Sequence, residues 1–211
     1  MKLLIDKGVD VSAQGGQCLQ AALLGGHKVV VKLLIEKGAD LDARGGQHDK
    51  TLQAASLRGY EEIVKLLIEM GADVNAKGGQ YGNALYAASL GGHEAIVKLL
   101  LEKGAGVNMQ GGGYGNALQA ASFRGHEVIV KLLIEKGADV NLQGGGCGNA
   151  LQAASFRGHE MIVKLLIEKG ADVNAKGGQY GNALQAASSE GHEAIVKLLK
   201  EKGADVMAAP S

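Results

Sequence analysis

The dipeptide His-Glu occurs four times, at His93-Glu94, His126-Glu127, His159-Glu160 and His192-Glu193, always 33 residues apart. On a helix it is half of a zinc-hydrolase motif, which is completed by a second His four residues after the first. Those positions hold Val97, Val130, Val163 and Val196. The copies cannot pool their ligands either. Helices packed side by side stand roughly 10 Å apart, whereas every ligand must come within about 2 Å of one metal. The histidines are therefore expected to be structural, bonding near a turn between helices.

Other candidates for chemistry fail in similar ways. Ser56, Ser89, Ser122, Ser155 and Ser188 recur on a face filled with alanine, with no converging base or acid of the kind a nucleophilic serine needs. The glycine runs Gly111-Gly112-Gly113 and Gly144-Gly145-Gly146 suggest a phosphate loop, but no Gly-Lys-Ser/Thr follows them. Lys50-Thr51 is preceded by Asp49. Cys18 and Cys147 lie about four repeat intervals apart, beyond the ~7 Å Cα separation a disulfide spans. They read as independent thiols, with Cys147, on a loop, the likelier of the two to react. No catalytic, metal or cofactor site is expected.

The elements that carry these residues follow one rule. Gly-Ala-Asp or a close variant begins at Gly8, Gly38, Gly71, Gly104, Gly137, Gly170 and Gly203, spaced by 30 once and by 33 five times. Within the unit 137–169, Asn149 is a good N-cap for a first helix that Gly158 ends, with Leu151, Ala154 and Ser155 on one face. A second helix is predicted from Glu160 to Lys169, with acid in its first turn and base in its last, as the backbone dipole favours. Glu160/Lys164 and the equivalent pairs Glu61/Lys65, Glu94/Lys98, Glu127/Lys131 and Glu193/Lys197 have the favourable i, i+4 order. Ile162, Val163, Leu165, Leu166 and Ile167 cover too wide an arc for one short partner helix to bury. Neighbouring units must cover the rest, which makes the chain a solenoid.

The repeat also explains the composition. Glycine is 34 of 211 residues, about 16%, against a usual ~7%. With one proline and long aliphatic runs, the glycines must be turns and helix stops rather than collagen, linker or disorder. The 22 basic and 22 acidic residues are interleaved, which offers no general attraction for nucleic acid or an anionic membrane. No apolar run approaches the ~18–20 residues of a membrane span, and the run after Met1 is too short for a secretory signal. Two cysteines make no disulfide framework. A soluble, reduced, cytoplasmic chain is expected.

The residues closely resemble the ankyrin repeat family. Its Gly-His before the second helix, and its Ile-Val-Lys-Leu-Leu-Leu-Glu-Lys-Gly-Ala-Asp-Val-Asn stretch, are matched almost residue for residue at Ile129 to Asn141. The resemblance implies an all-α solenoid of stacked antiparallel helix pairs with projecting β-turn or hairpin loops. In place of the family's Thr-Pro-Leu-His stand Asn-Ala-Leu-Gln at Asn116, Asn149 and Asn182, Asn-Ala-Leu-Tyr at Asn83, and Lys-Thr-Leu-Gln at Lys50. Asn caps as Thr would, and Gln donates and accepts as His would, while Lys50 leaves its helix poorly capped. The Gly-Gly-x-Tyr-Gly-Asn-Ala-Leu-Gln-Ala-Ala-Ser form resembles large fungal ankyrin arrays, including those of nucleotide-binding immune-receptor-like proteins. A consensus-designed array would look equally regular.

The expected division is a partial repeat at 1–8, a repeat at 9–38 lacking three loop residues, full repeats at 39–71, 72–104, 105–137 and 138–170, and a capping repeat with a short tail at 171–211. The apolar columns give way to Lys200 and Ser189 in the last repeat, as a polar cap requires. Near the start, Leu3, Leu4, Val29 and Val30 are expected to be less covered than their equivalents. A monomer is expected, with weak self-association through the N-terminal end as the alternative.

Function should lie where the fold does not dictate the residue. One column runs Leu24, Leu57, Leu90, Phe123, Phe156, and beside it Gly25, Arg58, Gly91, Arg124, Arg157, Glu190. The resemblance implies that these positions line a concave groove that contacts partners. A third column, His48, Tyr81, Tyr114, Cys147, Tyr180, lies in the projecting loops. Its tyrosines either meet a partner or stack along the fingers to order a glycine-weakened loop, and the two phenylalanines could equally be inter-repeat packing. The expected function is a non-enzymatic scaffold binding a protein or peptide through Leu57, Arg58, Leu90, Phe123, Arg124, Phe156, Arg157, His48, Tyr81, Tyr114 and Tyr180, without cofactor or nucleic acid. The alternative is a structural or recognition array belonging to a larger multidomain protein, or a consensus-type array with no dedicated partner.

Overall fold

The computed structural model describes residues 21–22, 25–36, 51–78 and 81–205. Eleven complete helices form among these residues: α1 (Lys28–Glu36), α2 (Thr51–Arg58), α3 (Glu61–Glu69), α4 (Ala84–Gly91), α5 (Glu94–Glu102), α6 (Ala117–Arg124), α7 (Glu127–Glu135), α8 (Ala150–Arg157), α9 (Glu160–Glu168), α10 (Ala183–Ser189) and α11 (Glu193–Glu201). Even-numbered helices are the first, and odd-numbered the second, of each pair.

Local sequence sets the bounds. Asn83, Asn116, Asn149 and Asn182 are extended, and each caps the helix that follows by accepting from the N–H three residues on. Gly92, Gly125 and Gly158 end their helices in the left-handed conformation. A Cβ on Gly125 would also stand 2.6 Å from the His159 ring of the next repeat, so glycine is needed there for space as well as for φ. The second helices stop one residue earlier than predicted, at Glu168 in α9, with Lys169 as C-cap. Lys50 and its cap lie outside the described residues.

The first helices are buried more completely than one face would require. All six residues from Ala150 to Ser155 are buried, as are their counterparts from Ala117 to Ser122. Each of these helices has a first helix on both sides and its own second helix behind it. Only the last turn, Phe123-Arg124 or Phe156-Arg157, escapes. The second helices bury a narrower stripe, Ile162, Val163 and Leu166 in α9, with Leu165 and Ile167 partly covered.

First helices lined with alanine pack against each other more extensively than second helices lined with leucine and isoleucine. Smaller side chains allow a closer approach, so the stack bends with the first helices on its inner, concave side. Val29 is 80% exposed, but Val128 and Met161, its equivalents in mid-array, are 56% and 57% exposed. The position faces outward in all three, yet Val29 is less covered than its equivalents, and Val30 is partly exposed where Ile129 and Ile162 are buried, as expected near the N-terminal end. Leu3 and Leu4 lie outside the described residues.

Glu61–Lys65 and Glu94–Lys98 close as ion pairs, and Lys28 also reaches Glu62 of the next repeat at 2.8 Å. Among the described residues no such contact forms at Glu127/Lys131, Glu160/Lys164 or Glu193/Lys197. These are solvent-exposed side chains whose pairing contributes little to stability.

Candidate functional site

The projecting loops are hairpins. The N–H groups of Gly78, Gly111, Gly144 and Gly177 donate to the carbonyls of Gly82, Gly115, Gly148 and Gly181 at 2.9, 2.7, 2.7 and 2.8 Å. Neighbouring fingers are tied at their tips, Gly146 N–H to Gly113 O at 3.0 Å and Gln179 N–H to Gly146 O at 2.9 Å. Backbone-to-backbone ties of this kind need close approach, which a run of glycines allows.

The fingers closed by Gly82, Gly148 and Gly181 are anchored at the base by the glutamine of the preceding repeat. Gln152 Oε1 accepts from Asn149 N–H at 2.8 Å and completes a capping box. Its Nε2 donates to Ala175 O, Gly177 O and Gly181 O at 3.1, 3.2 and 3.0 Å. Gln119 does the same through Leu142 O, Gly144 O and Gly148 O. At Tyr86 the chain uses another device: the buried ring passes over Gly112, where a Cβ would stand 2.3 Å from it, and the hydroxyl accepts from Tyr114 N–H at 3.2 Å. Burial pushes the Tyr86 phenol above its usual range.

The histidines are structural, and they join repeats rather than helices of one repeat. Nε2 of His93, His126, His159 and His192 lies 2.9, 3.4, 3.2 and 3.0 Å from the carbonyls of Leu57, Leu90, Phe123 and Phe156. Desolvation, with Arg124 and the neighbouring histidines, holds the His126 pKa below its ordinary value.

On the concave side the groove residues assemble into one row of rings. Tyr114 stacks on Phe123 with centroids 4.1 Å apart, Phe123 faces Phe156 at 6.2 Å, and Phe156 stacks on Tyr180 at 4.1 Å. The interplanar angles are 24°, 17° and 20°. Tyrosines 114 and 180 thus stack on phenylalanines, whereas stacking along the fingers would have placed tyrosine on tyrosine. The Arg157 guanidinium lies 5.0 Å from the Phe123 centroid, within cation–π range. All four rings remain partly exposed, and Arg124 and Arg157 are exposed. Leu57, Leu90 and Tyr81 are half-buried and Arg58 exposed further along the same face, outside this stack. His48 and Leu24 lie outside the described residues.

Cys147 departs from expectation. It occupies the tyrosine column but is only 3% exposed, and burial pushes its thiol above the usual range. A small side chain folds inward there, while Tyr180 of the next repeat covers the face of Phe156. Thiolate is the reactive form, so such a thiol should be sluggish. In a Cys18→Ser variant at pH 8, Cys147 is expected to react with a disulfide reagent at least ~10-fold more slowly in the folded protein than in denaturant. Equal rates would show that the site opens freely.

A bent stack of helix pairs with capped, hydrogen-bonded fingers and a ring-lined inner face defines a repeat solenoid. The family model for ankyrin repeats matches in three copies, at residues 1–78, 52–144 and 142–209. The chain belongs to the ankyrin repeat family, whose domains generally mediate protein–protein interaction and are typically non-enzymatic. Among solved structures it is similar to the human ASB11 ankyrin repeat domain, with 26% identity, a TM-score of 0.78, and coverage of 92% of this chain and 86% of that one. No curated protein matches it in sequence. No helix among the described residues is long and apolar enough to cross a membrane.

Proposed function

We propose that this array is a non-enzymatic scaffold that holds a protein or peptide against its concave face, between the last turns of the first helices and the finger tips. One observation carries the reading. The row Tyr114, Phe123, Phe156, Tyr180 is built at positions that the helix pairs do not need for their core, and it places partly exposed aromatic surface beside exposed Arg124 and Arg157. Aromatic and arginine side chains are prominent in interface energetics, the rings because they bury much area with little entropy loss and arginine because its planar fork donates several hydrogen bonds. Leu57, Arg58, Leu90 and Tyr81 extend the same face toward the N-terminal repeats. A monomer acting in the reducing cytoplasm fits the unpaired Cys147 thiol and the polar Ser189 and Lys200 of the last repeat.

The test is affinity capture of partner with the full chain and with a Phe123→Ala/Phe156→Ala variant. The variant should lose at least ~10-fold in affinity. Both rings are only half-buried, so the unfolding midpoint should fall by no more than about 5 °C. Undiminished binding by a folded variant would sink the groove reading.

A further inference from the structure

We infer that the groove takes an extended acidic protein segment whose acidic side chains, two residues apart, lie opposite Arg124 and Arg157, and whose next side chain on that face, opposite Glu190, is basic. The inference rests on the groove reading above and adds to it the charge pattern and register of the occupant.

The charges come first. Arg124 and Arg157 are exposed, and among the described residues neither forms an ion pair with a carboxylate. Arg157 is held at the groove wall by its contact with Phe123. Cations fixed beside an apolar row and lacking their own counter-charge favour an anionic partner, and guanidinium favours carboxylate in two-point contact. The same helix position holds exposed Arg58 and then Gly91 before them, and exposed Glu190 after them. Along the groove the signs therefore read positive, neutral, positive, positive, negative, and a segment lying over the last three repeats is both selected and oriented by that order.

The spacing comes second. Phe123 and Phe156 repeat at 6.2 Å on the concave side. An extended chain returns to the same face every two residues, about 6.6–6.8 Å. One groove-facing side chain thus matches the step between these two rings. A helical segment also advances about 6 Å in four residues, but it turns roughly 40° further with each such step. Its third charge would leave the groove.

Single-stranded nucleic acid, which also favours arginine and aromatic residues, fits less well. Base binding needs free ring faces. Phe123 lies between Tyr114 and Phe156, and Phe156 between Phe123 and Tyr180, so both rings already have neighbours across their faces. Glu190 adds a repulsive charge at one end.

Fluorescence anisotropy with labelled peptides tests the inference on the full chain. The matched probes are Glu-Val-Glu-Val-Lys-Val and the same residues in reverse order, to cover both chain directions. One of them should bind at least ~5-fold more tightly than the swapped probe Lys-Val-Lys-Val-Glu-Val, an advantage that shrinks as salt is raised. Glu190→Lys should move the preference to Glu-Val-Glu-Val-Glu-Val, and Arg124→Glu/Arg157→Glu should abolish it. All of these are exposed positions whose exchange leaves the core intact.

Equal binding of matched and swapped probes, no binding of any probe at millimolar concentration, an indifferent Glu190→Lys variant, or tighter binding of oligothymidylate would each overturn the inference. If Phe123→Ala/Phe156→Ala weakens all probes alike while charge has no effect, the groove reading stands and this one falls. If neither rings nor charges affect probes that do bind, both fall.

Discussion

Replacing Gln152 by leucine is expected to destabilise the array by about 3 kcal/mol, although the two side chains are similar in size and the site is fully buried. The glutamine accepts from Asn149 N–H and donates to three carbonyls at the base of the next finger. Leucine satisfies none of them. A donor or acceptor left without a partner in the interior costs ~1–3 kcal/mol, more than its hydrogen bond contributes when made. Gly181 O keeps its bond from Gly177 N–H, and water can reach part of the finger base because Gly177 and Gly181 are not fully covered, so the sum falls short of four full penalties. For a chain of this size the unfolding midpoint should drop by about 6–12 °C. Amides of the finger 177–181 should exchange with solvent faster than those of α8. Gln179→Leu, at an exposed fingertip, is the control and should change stability by less than ~0.5 kcal/mol. Equal effects of the two substitutions would show that the buried network is not what stabilises the junction.

The same network shows what the sequence could and could not reveal. Helix order, caps and the donor–acceptor role of the glutamines were legible because they act within one unit, and 33-residue recurrence repeats the signal. Interactions between units were harder to read. Asn75, Asn108, Asn141 and Asn174 each donate from Nδ2 to a glycine carbonyl of the next repeat, and accept at Oδ1 from an N–H two residues beyond that glycine. The recurring Val-Asn of the sequence carried that signal. It reads as turn chemistry until the neighbouring repeat is in place.

The groove was legible as a set of columns but not as an arrangement. Phe123 and Phe156 are partly exposed at the last turn of helices whose preceding six residues are enclosed by neighbours both before and after. Tyr114 meets the phenylalanine of its own repeat, and Tyr180 meets that of the preceding one. Between them, Cys147 breaks the tyrosine column and turns inward. No period in the sequence distinguishes a side chain that reaches out from a smaller one that folds in at the same place.

The serine column supports the opposite kind of expectation, a gain. Ser56, Ser89, Ser122 and Ser155 are fully buried, and the Oγ of each lacks a hydrogen-bond partner. A buried hydroxyl without a partner is a cost, and serine is also a weaker helix former than alanine by a few tenths of a kcal/mol. Alanine removes both penalties and leaves a void smaller than a methyl group. Each Ser→Ala exchange should therefore stabilise the protein by about 0.5 kcal/mol, and the four together by about 2 kcal/mol, raising the unfolding midpoint by roughly 5 °C. The sites lie in successive repeats without shared partners, so the increments should add to within ~0.3–0.5 kcal/mol. Ser188, the fifth of the column, is exposed, and its replacement should change little. The quadruple variant should bind partner as the parent does, since its substitutions lie on the enclosed side of helices whose groove residues are untouched. A fall in stability across the four would mean that the hydroxyls bond to carbonyls or water in solution. A loss of binding with stability intact would assign the column a functional role.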